Sequence, residues 1–469
     1  MRPPLIVVAS FLAVGTLVAG AAAAQSIPDT AATLRDKALA GSPAYGVLES
    51  LTTEVGARPA GSAAQRRAME WGVAKLKALG FANVHAEPFT ITAWARGAEA
   101  AEVTGPYPQK LAILGLGGTV PTPAGGIEAP IALFHSYGEM LAAPAGSLTG
   151  KIAVVTEPMA RTQDGFGYGM VISMRENGAV EAARRGAVAY MIRSLSTADN
   201  RLPHTGAMDY AADVPKIPAA ALSPSDASLL DRMVARGAPV TVRLSLASAV
   251  TPNAPAWNVV GEIPGREKPD EVIVIGGHLD SWDPGAGAID DGAGVAITTA
   301  AAKLIGDLPR HPRRTVRVVM YGSEEMGGSG SAYAAAHKGE IDHVVLAGES
   351  DEGSDLIYRL QLPAGGLDSP ALAELGKVLA PLRIILDKTP AQRGGSDVEG
   401  LQALGAPIMS YYQDASRYFD THHSADDVLD RVDVKSMDQN VAAWAALIYM
   451  VADSDVDFRR TAPASPAAK

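Results

Sequence analysis

A chain of 469 residues with 47% hydrophobic and 19% charged residues is long enough for two globular domains. Its 51 acidic and 40 basic residues give a formal net charge of -11, and no basic block is present to hold phosphates, which excludes a nucleic-acid-binding protein. The chain has no cysteine, which excludes disulfides, thiolate zinc sites and a cysteine nucleophile and leaves histidine and carboxylates as the strong metal ligands.

The N-terminal segment has the composition of an export signal. Arg2 precedes an apolar run from about Leu5 to Ala24, and the alanine-rich end of this run offers the small residues that a signal peptidase recognises. We expect residues 1–24 to be a signal peptide that is cleaved before Gln25, so that the mature protein is secreted or periplasmic and free of the membrane. The alternative is an uncleaved anchor, because the run approaches the length that spans a bilayer.

Residues 25–104 are predicted to begin the larger domain. Apolar and charged residues alternate at helical spacing over 64–79, which predicts an amphipathic helix that Gly80 ends. A strand is predicted at 84–94. From about residue 105 the composition changes to short apolar segments that glycine and proline interrupt.

Residues 105–248 are predicted to form a smaller domain that is inserted into the larger one. Short strands are expected at 150–155, 188–192 and 217–222, with a helix at 180–186. The sequence of this region shows no cluster of candidate ligands, so we expect the chemistry to lie elsewhere in the chain.

Residues 249–458 are predicted to complete the larger domain as a doubly wound, mostly parallel α/β sheet, because strands and helices alternate there. The predicted strands lie at 258–263, 272–276, 315–321, 344–347, 382–386 and 408–412. The predicted helices lie at about 292–306, 329–337, 370–380, 397–404 and 435–452. The tail at 459–469 is rich in alanine, proline and serine and is predicted to be disordered.

Acidic residues and histidines follow four of these predicted strands. In chain order they are His278, Asp280, Glu324, Glu325, Asp351 and His423. Binding sites in open α/β sheets gather at the carboxyl edge of the strands, so we expect these side chains to lie close together. Imidazole and carboxylate groups are common zinc ligands, and a further carboxylate can orient a ligand histidine, which is the role expected for Asp280.

Five short motifs contain the candidate ligands: Gly277-His278-Leu279-Asp280-Ser281-Trp282-Asp283, Asp290-Asp291-Gly292, Ser323-Glu324-Glu325-Met326-Gly327, Glu349-Ser350-Asp351 and His422-His423-Ser424. Their residues and order resemble the co-catalytic zinc exopeptidases, a family that contains bacterial leucine-type aminopeptidases and glutamate carboxypeptidases. The likeness is closest to the plasma glutamate carboxypeptidase branch, which hydrolyses dipeptides. It covers about 250–455, and 28–95 more weakly, while the inserted domain resembles the protease-associated insert of exported metallopeptidases.

The resemblance implies two zinc ions in each chain. One would be held by His278 and Asp351 and the other by Glu325 and His423, with Asp290 as the bridge between them. The same ligand types also suit cobalt or manganese. The family resemblance further implies a homodimer.

His423 is preferred to the adjacent His422 as a ligand because it precedes Asp427 at the spacing of the family. His422 is the weaker candidate. The resemblance also implies a cis peptide bond between Asp290 and Asp291, which is rare in the absence of proline.

The implied reaction is attack by a water molecule that two zinc ions share and acidify. Their four positive charges face the three carboxylates of Asp290, Glu325 and Asp351, which leaves one net positive charge. Glu324 directly precedes a ligand, so it is expected at the edge of the site as the general base and then as the acid that protonates the leaving amine.

Region 394–397 and the remaining histidines have other predicted roles. Ser396 or Asp397 is predicted to cap a helix, and the resemblance adds a contact with the substrate backbone as the alternative. The histidines outside the motifs are predicted to be structural or at the surface, and they are His85, His135, His204, His311, His337 and His343.

The predicted function is hydrolysis of short peptides by an exported di-zinc exopeptidase, with dipeptides as the expected substrates. One alternative keeps this chemistry in a broad aminopeptidase that acts on longer peptides with a free amino terminus. Another is a metal-free binding or receptor-like homologue, and a third is a single-metal cyclase relative. Neither of these last two needs the complete set of five candidate ligands.

Overall fold

The structure is a computed structural model that describes Met1 and residues 25–460. The predicted signal peptide, apart from Met1, and residues 461–469 of the predicted tail lie outside the described residues. Arg459 lies within them, and its guanidinium is 3.1 Å from Glu271 and 2.8 Å from Asp457, so ordered structure extends into the predicted tail. Among the described residues, no helix combines the length and the apolar character that crossing a bilayer requires.

The described residues form twelve α-helices and sixteen β-strands. The α-helices are α1 (Ile27–Leu39), α2 (Ala44–Glu54), α3 (Ala63–Ala78), α4 (Tyr137–Ala142), α5 (Phe166–Glu176), α6 (Gly178–Arg184), α7 (Pro224–Val234), α8 (Ala293–Gly306), α9 (Ser329–Ala336), α10 (Leu375–Leu379), α11 (Glu399–Ala403) and α12 (Val434–Asp453). The strands are β1 (Ala82–Ala95), β2 (Glu99–Gly105), β3 (Gln109–Leu111), β4 (Ile113–Gly115), β5 (Ile127–Phe134), β6 (Ile152–Val155), β7 (Ala189–Arg193), β8 (Ala219–Leu222), β9 (Thr241–Leu246), β10 (Ala249–Ile263), β11 (Lys268–His278), β12 (Arg314–Tyr321), β13 (Val344–Glu349), β14 (Ile357–Gln361), β15 (Ile385–Asp387) and β16 (Ser410–Gln413). Shorter helical turns lie at Ala288–Gly292, Lys338–His343, Gly366–Asp368, Pro370–Leu372, Ala380–Leu382, Tyr418–Asp420, Leu429–Arg431 and Phe458–Arg460.

A five-stranded sheet in the order β1-β10-β12-β11-β13 forms the centre of the larger unit. β11 pairs in parallel with β12 and β13, whereas β10 runs antiparallel to β1 and β12. The predicted α/β class is confirmed, and the sheet is mixed rather than mostly parallel. The reason is that β1 and β10 flank a long intervening segment and pair from Ala82 opposite Glu262 to Ala95 opposite Ala249, so they run in opposite directions.

Burial on both faces explains why the central parallel strand is a continuous apolar run. In β11, Ile273 and Ile275 share a hydrophobic cluster with α8 and α12, while Val272 and Val274 share another with α9 and α11. All four side chains are buried. A parallel strand between two layers of helices has no solvent face, and it therefore lacks the polar alternation of a surface strand.

A three-stranded sheet in the order β15-β14-β16 continues this edge. Ile408 forms an isolated parallel bridge with Ala347 of β13, which places the approach to β16 beside β13. The predicted helix at 370–380 is wrong as a single element, because the region is divided into α10 and short turns, one of which contains Pro381. β14 is absent from the predicted strands because its buried and half-exposed residues do not alternate.

The chain from β2 to β9 contains an eight-stranded sheet in the order β3-β2-β9-β5-β6-β7-β8-β4. We propose that this sheet is the inserted domain. Its first strand begins before the boundary expected at 105, because Glu99 of β2 pairs with Leu246 of β9. One hydrophobic cluster includes Met174 of α5 together with Phe419 of the larger unit, so the two units share a packed contact.

Substitution of Gly294 tests how closely α8 approaches the loop after β13. A Cβ atom at this position would lie 1.8 Å from the carbonyl oxygen of Ser350 and 2.5 Å from the carboxylate of Asp291. We expect Gly294→Ala to lower the free energy of unfolding by about 1–3 kcal/mol, as overpacking of a tightly packed site does. The measurement is urea-induced unfolding followed by circular dichroism.

Gly46→Ala is the matched control. Gly46 lies on the exposed side of α2, and a Cβ atom there would meet nothing within 4 Å. Alanine is favoured over glycine inside a helix by about 0.5–1 kcal/mol, so this variant is expected to be at least as stable as the wild type. Equal stability of the two variants would contradict the described packing of α8.

Candidate metal centre

Loops at one edge of the central sheet bring the predicted site residues together. They are His278 and Asp280 at the end of β11, Asp290 in the turn before α8, Glu324 and Glu325 after β12, Asp351 after β13 and His423 after β16. Glu324 and Asp351 are half-buried, and the other five are buried. This edge is formed by the carboxyl ends of the parallel strands, where α/β proteins place their binding sites.

Asp290 lies at the centre of the site because its two carboxylate oxygens contact different histidines. Its Oδ1 is 3.0 Å from Nε2 of His278, and its Oδ2 is 3.1 Å from Nε2 of His423. Asp351 Oδ1 lies 3.4 Å from Nε2 of His278, and Glu325 Oε2 lies 3.1 Å from Nε2 of His423. The structure therefore contains two histidine–carboxylate groups that share Asp290.

The spacing of these atoms suits tetrahedral zinc. Ligand atoms about 2.0–2.1 Å from zinc lie about 3.3 Å apart at tetrahedral angles, and the nitrogen–oxygen distances in the two groups range from 3.0 to 3.4 Å. Glu325 Oε1 is buried and has no hydrogen-bond partner among the described residues, and Asp290 Oδ2 faces the imidazole of His423 at 3.1 Å. A buried carboxylate oxygen without a donor is costly unless a cation lies beside it. Each group could thus hold a zinc ion.

The concentration of carboxylates raises the proton affinity of both histidines. Burial lowers the pKa of His423, but the carboxylates of Glu325 and Asp290 outweigh this effect and raise it to about 9. Burial also acts against protonation of His278, and nearby carboxylates, chiefly Asp351, raise its pKa well above the usual value. The site attracts positive charge, which is what a metal site of this ligand type requires.

Glu324 lies beside these two groups and differs from them in its contacts. Its backbone amide donates a hydrogen bond to Asp280. Burial raises the pKa of Glu324 well above its usual value; the His278 imidazole opposes this, and the carboxylates of Asp351 and Glu325 add to it. A carboxyl group with a raised pKa can hold a proton near neutral pH, which suits a general acid or base.

Asp280 contacts two parts of the site. Its Oδ1 is 3.5 Å from Nδ1 of His278, which also lies 3.1 Å from the carbonyl oxygen of Asp280. Its carboxylate accepts hydrogen bonds from the backbone amides of Glu324 at 3.0 Å and Glu325 at 3.3 Å. Asp280 therefore supports both a histidine and the glutamate loop, which extends the orienting role expected from the sequence.

Two buried carboxylates without a predicted role hold the turn around Asp290. Asp291 accepts hydrogen bonds from the amides of His278 at 2.9 Å and Gly294 at 2.8 Å. Asp427 accepts hydrogen bonds from the amides of Ile289 at 2.6 Å and Asp290 at 3.3 Å. The peptide bond between Asp290 and Asp291 is cis, as the resemblance implies. The proximity of both aspartates to the motifs is the sequence feature that could have identified them.

Arg58 is fully buried against the loop that joins β11 to the turn before α8. Its guanidinium donates hydrogen bonds to the carbonyl oxygens of Leu279, Ala286 (2.6 Å) and Gly287 (2.8 Å). Burial lowers the pKa of Arg58, and nearby carboxylates, chiefly Asp427, oppose that change. No motif in the sequence marks this arginine, since these three carbonyl partners lie more than two hundred residues away.

His422 lies beside the site with contacts that differ from those of His423. The two imidazole rings stack with their centroids 3.5 Å apart, and Nε2 of His422 is 3.6 Å from Asp290 Oδ2. Burial lowers the pKa of His422 well below the usual value, and His423 lowers it further. We propose His423 as the ligand, because its Nε2 contacts both Glu325 and Asp290 at 3.1 Å.

Asp397 caps a helix that is distant from it in the sequence. Its Oδ1 accepts hydrogen bonds from the hydroxyl of Ser329 at 2.5 Å and from the amide of Gly330 at 2.6 Å, at the start of α9. The amide of Asp397 in turn donates to Glu349 at 2.9 Å. The cap predicted for the helix that follows this region is wrong, because α11 has no side-chain cap and Asp397 contacts the start of α9 instead.

The proposed inserted domain reaches the site through the segment between β7 and β8. The amide of Thr205 donates to the carbonyl of His423 at 3.0 Å, and Nδ1 of His423 lies 3.3 Å from the carbonyl of Thr205. Nδ1 of His204 lies 2.6 Å from the carbonyl of His422. Burial lowers the pKa of His204 to about 4, so its imidazole is uncharged at neutral pH. His204 thus has a structural contact, as predicted for the histidines outside the motifs.

The chain is similar to known metallopeptidases over most of its length. The model of peptidase family M28 matches residues 258–448. Mouse carboxypeptidase Q is 38% identical over 412 residues, which cover 88% of this chain and 86% of the mouse protein. The crystal structure of a peptidase M28 precursor from Shewanella amazonensis has a TM-score of 0.90 and 44% identity, covering 92% of this chain and 98% of that one. A zinc aminopeptidase from Bacillus subtilis shares the fold at 17% identity, with a TM-score of 0.63 and coverage of 88% and 97%.

Substitution of the adjacent histidines separates the proposed ligand from its neighbour. We expect His423→Asn to lower the zinc content of the purified protein by one ion, because asparagine lacks the Nε2 atom that contacts Glu325 and Asp290. His422→Asn is the matched control and is expected to keep the wild-type zinc content. Zinc is measured by atomic spectrometry after dialysis against metal-free buffer. Loss of zinc from the His422 variant alone would contradict the assignment.

Proposed function

This chain belongs to peptidase family M28 and is a metallo-exopeptidase, and we propose that it hydrolyses dipeptides with two zinc ions at the site described above. The observation that carries the proposal is the pair of histidine–carboxylate groups that share both oxygens of Asp290. A metal-free receptor-like homologue would leave the buried Oε1 of Glu325 without a partner.

We assign one zinc ion to His278 and Asp351 and the other to Glu325 and His423, with Asp290 shared between them. Three ligand carboxylates against four positive charges leave one net positive charge at the centre. A positive centre at a partly buried site favours the negative charge that develops on a peptide carbonyl oxygen during hydrolysis.

The chain supplies the proton transfers of the proposed reaction. Bound zinc would acidify a water molecule and polarise the peptide carbonyl. Glu324 would accept the proton that this water releases and return it to the leaving amine. Asp280 keeps Glu324 beside the site through the hydrogen bond to its backbone amide.

Similarity to a carboxypeptidase supports an exopeptidase, and the packing of the inserted domain supports short substrates such as dipeptides. The chain is similar over 88% of its length to a protein that is named as a carboxypeptidase. The inserted domain also packs close to the histidine loop: the ring of Tyr168 is 4.9 Å from Phe419 and 5.3 Å from His422. Side chains this close restrict the space beside the site, which favours short peptides over long ones.

We propose further that the enzyme is exported and forms homodimers. The apolar run before Gln25 supports export, and the family resemblance supports the homodimer. The substrates would then be peptides outside the cytoplasm.

Glu324→Gln tests the proposed general base. We expect kcat to fall by about 100-fold to 10,000-fold, the range that a positioned acid–base group contributes, while the zinc content stays at the wild-type value. The measurements are steady-state hydrolysis of a dipeptide and atomic spectrometry on the same preparation.

Glu374→Gln is the control for this substitution, because Glu374 is 46% exposed and pairs with Lys377 away from the site. It is expected to keep wild-type activity and zinc content. Wild-type activity in the zinc-loaded Glu324 variant would rule out the role assigned to Glu324.

A panel of peptides tests the substrate class. We expect kcat/KM for dipeptides to exceed that for tripeptides with the same first residue by about tenfold or more, because the inserted domain limits the length that the site accepts. Chelation is expected to abolish hydrolysis and added zinc to restore it. Hydrolysis is followed by chromatography of the released amino acids.

N-acetylated dipeptides complete this panel. Equal or faster hydrolysis of longer peptides, combined with rejection of blocked amino termini, would identify a broad aminopeptidase instead. Activity that persists after complete removal of metal would contradict the zinc mechanism itself.

A further inference from the structure

The two histidines of the site take their orientation from different parts of the molecule. Nδ1 of His278 lies 3.1 Å from the carbonyl of Asp280, two residues away in the same loop. Nδ1 of His423 lies 3.3 Å from the carbonyl of Thr205, which belongs to the inserted domain. A hydrogen bond at one ring nitrogen of a histidine sets which nitrogen remains free for a metal.

The contact between the inserted domain and the histidine loop is a short ladder of hydrogen bonds. Besides the Nδ1 contact, the amide of Thr205 donates to the carbonyl of His423 at 3.0 Å. Nδ1 of His204 lies 2.6 Å from the carbonyl of His422. His204, Thr205 and His423 are all at least nine-tenths buried, so water does not compete for these bonds.

The segment that carries His204 and Thr205 is itself held firmly. The amide of His204 donates to Ser194 Oγ at 2.8 Å, and the hydroxyl of Thr205 donates to the carbonyl of Gly115 at 2.8 Å. Arg96 donates to the same hydroxyl at 3.1 Å and to Asp283 at 2.7 Å. A segment that hydrogen bonds hold at several points can fix the orientation of the side chain that it contacts, here His423.

His204 contributes to this ladder through one ring nitrogen. The carbonyl of His422 can only accept a hydrogen bond, so Nδ1 of His204 carries the proton. Its Nε2 is buried without a hydrogen-bond partner among the described residues. A residue that offers only an Nδ1 donor can be replaced by asparagine, whose amide nitrogen occupies a similar position, but not by leucine.

We propose that the segment 204–205 of the inserted domain is a positioning clamp for the metal held by Glu325 and His423, and not for the metal held by His278 and Asp351. His204 is the positioning residue that fixes the backbone of the histidine loop, and the carbonyl of Thr205 directs Nε2 of His423 towards Glu325. This inference rests on the proposed function, because it presumes that both groups bind metal.

The test compares His204→Leu with His204→Asn. We expect His204→Leu to lower the affinity for one of the two zinc ions by about 10-fold to 100-fold. This is the effect typical of losing a group that orients a metal ligand. The affinity of the other ion is expected to stay at its wild-type value. His204→Asn is expected to restore the weakened affinity to near the wild-type value. Both affinities come from titration with zinc against a chelating dye, with thermal unfolding measured alongside.

His135→Leu is the matched control, because this imidazole also belongs to the inserted domain and is 72% exposed. It is expected to leave both zinc affinities unchanged. The inference would be overturned if His204→Leu left both zinc affinities unchanged, or if it lowered both affinities equally. A packing role alone predicts that the smaller asparagine is worse than leucine, which is the opposite order. A wild-type protein that binds no zinc would instead overturn the proposed function.

Discussion

Buried negative charge is the constraint on which the whole site depends. The carboxylates divide according to what satisfies their oxygens: Asp280, Asp291 and Asp427 each accept two hydrogen bonds from backbone amides. Glu325 keeps a buried oxygen without a donor among the described residues, and the oxygens of Asp290 face the imidazoles of His278 and His423. A carboxylate that accepts hydrogen bonds from backbone amides holds the backbone in place, while a buried carboxylate oxygen without a donor needs a cation beside it. The same chemical group thus serves as support and as candidate ligand within one cluster.

The supports of this cluster come from segments that are far apart along the chain. Arg58 follows α2 and His204 lies in the inserted domain, yet each contacts backbone carbonyls of a loop that carries candidate ligands. Buried loops cannot satisfy all of their own carbonyl groups, so donors from elsewhere in the fold are required. The proposed inserted domain therefore contributes to the surroundings of the site.

Local pattern was sufficient to predict the elements that surround the site. The apolar run from Val272 to Ile275 predicts β11 because a strand between two helical layers has no polar face. The motif residues follow such strands directly, so the sequence alone places His278 and Asp351 at one edge of the sheet. The cap of α9 by Asp397 could not be predicted, because it joins residues 67 positions apart.

The sequence by itself determined the chemistry available to this protein: histidines and carboxylates in five motifs, and no cysteine, restrict its strong metal ligands to nitrogen and oxygen donors. Only the tertiary structure decided how those groups are partnered, such as the contact of His423 with Glu325 and the burial of Arg58 against loop carbonyls. The physical reason is that the type of donor atom belongs to the residue and its near neighbours. The distance between donor atoms depends instead on how loops from distant parts of the chain pack against one another.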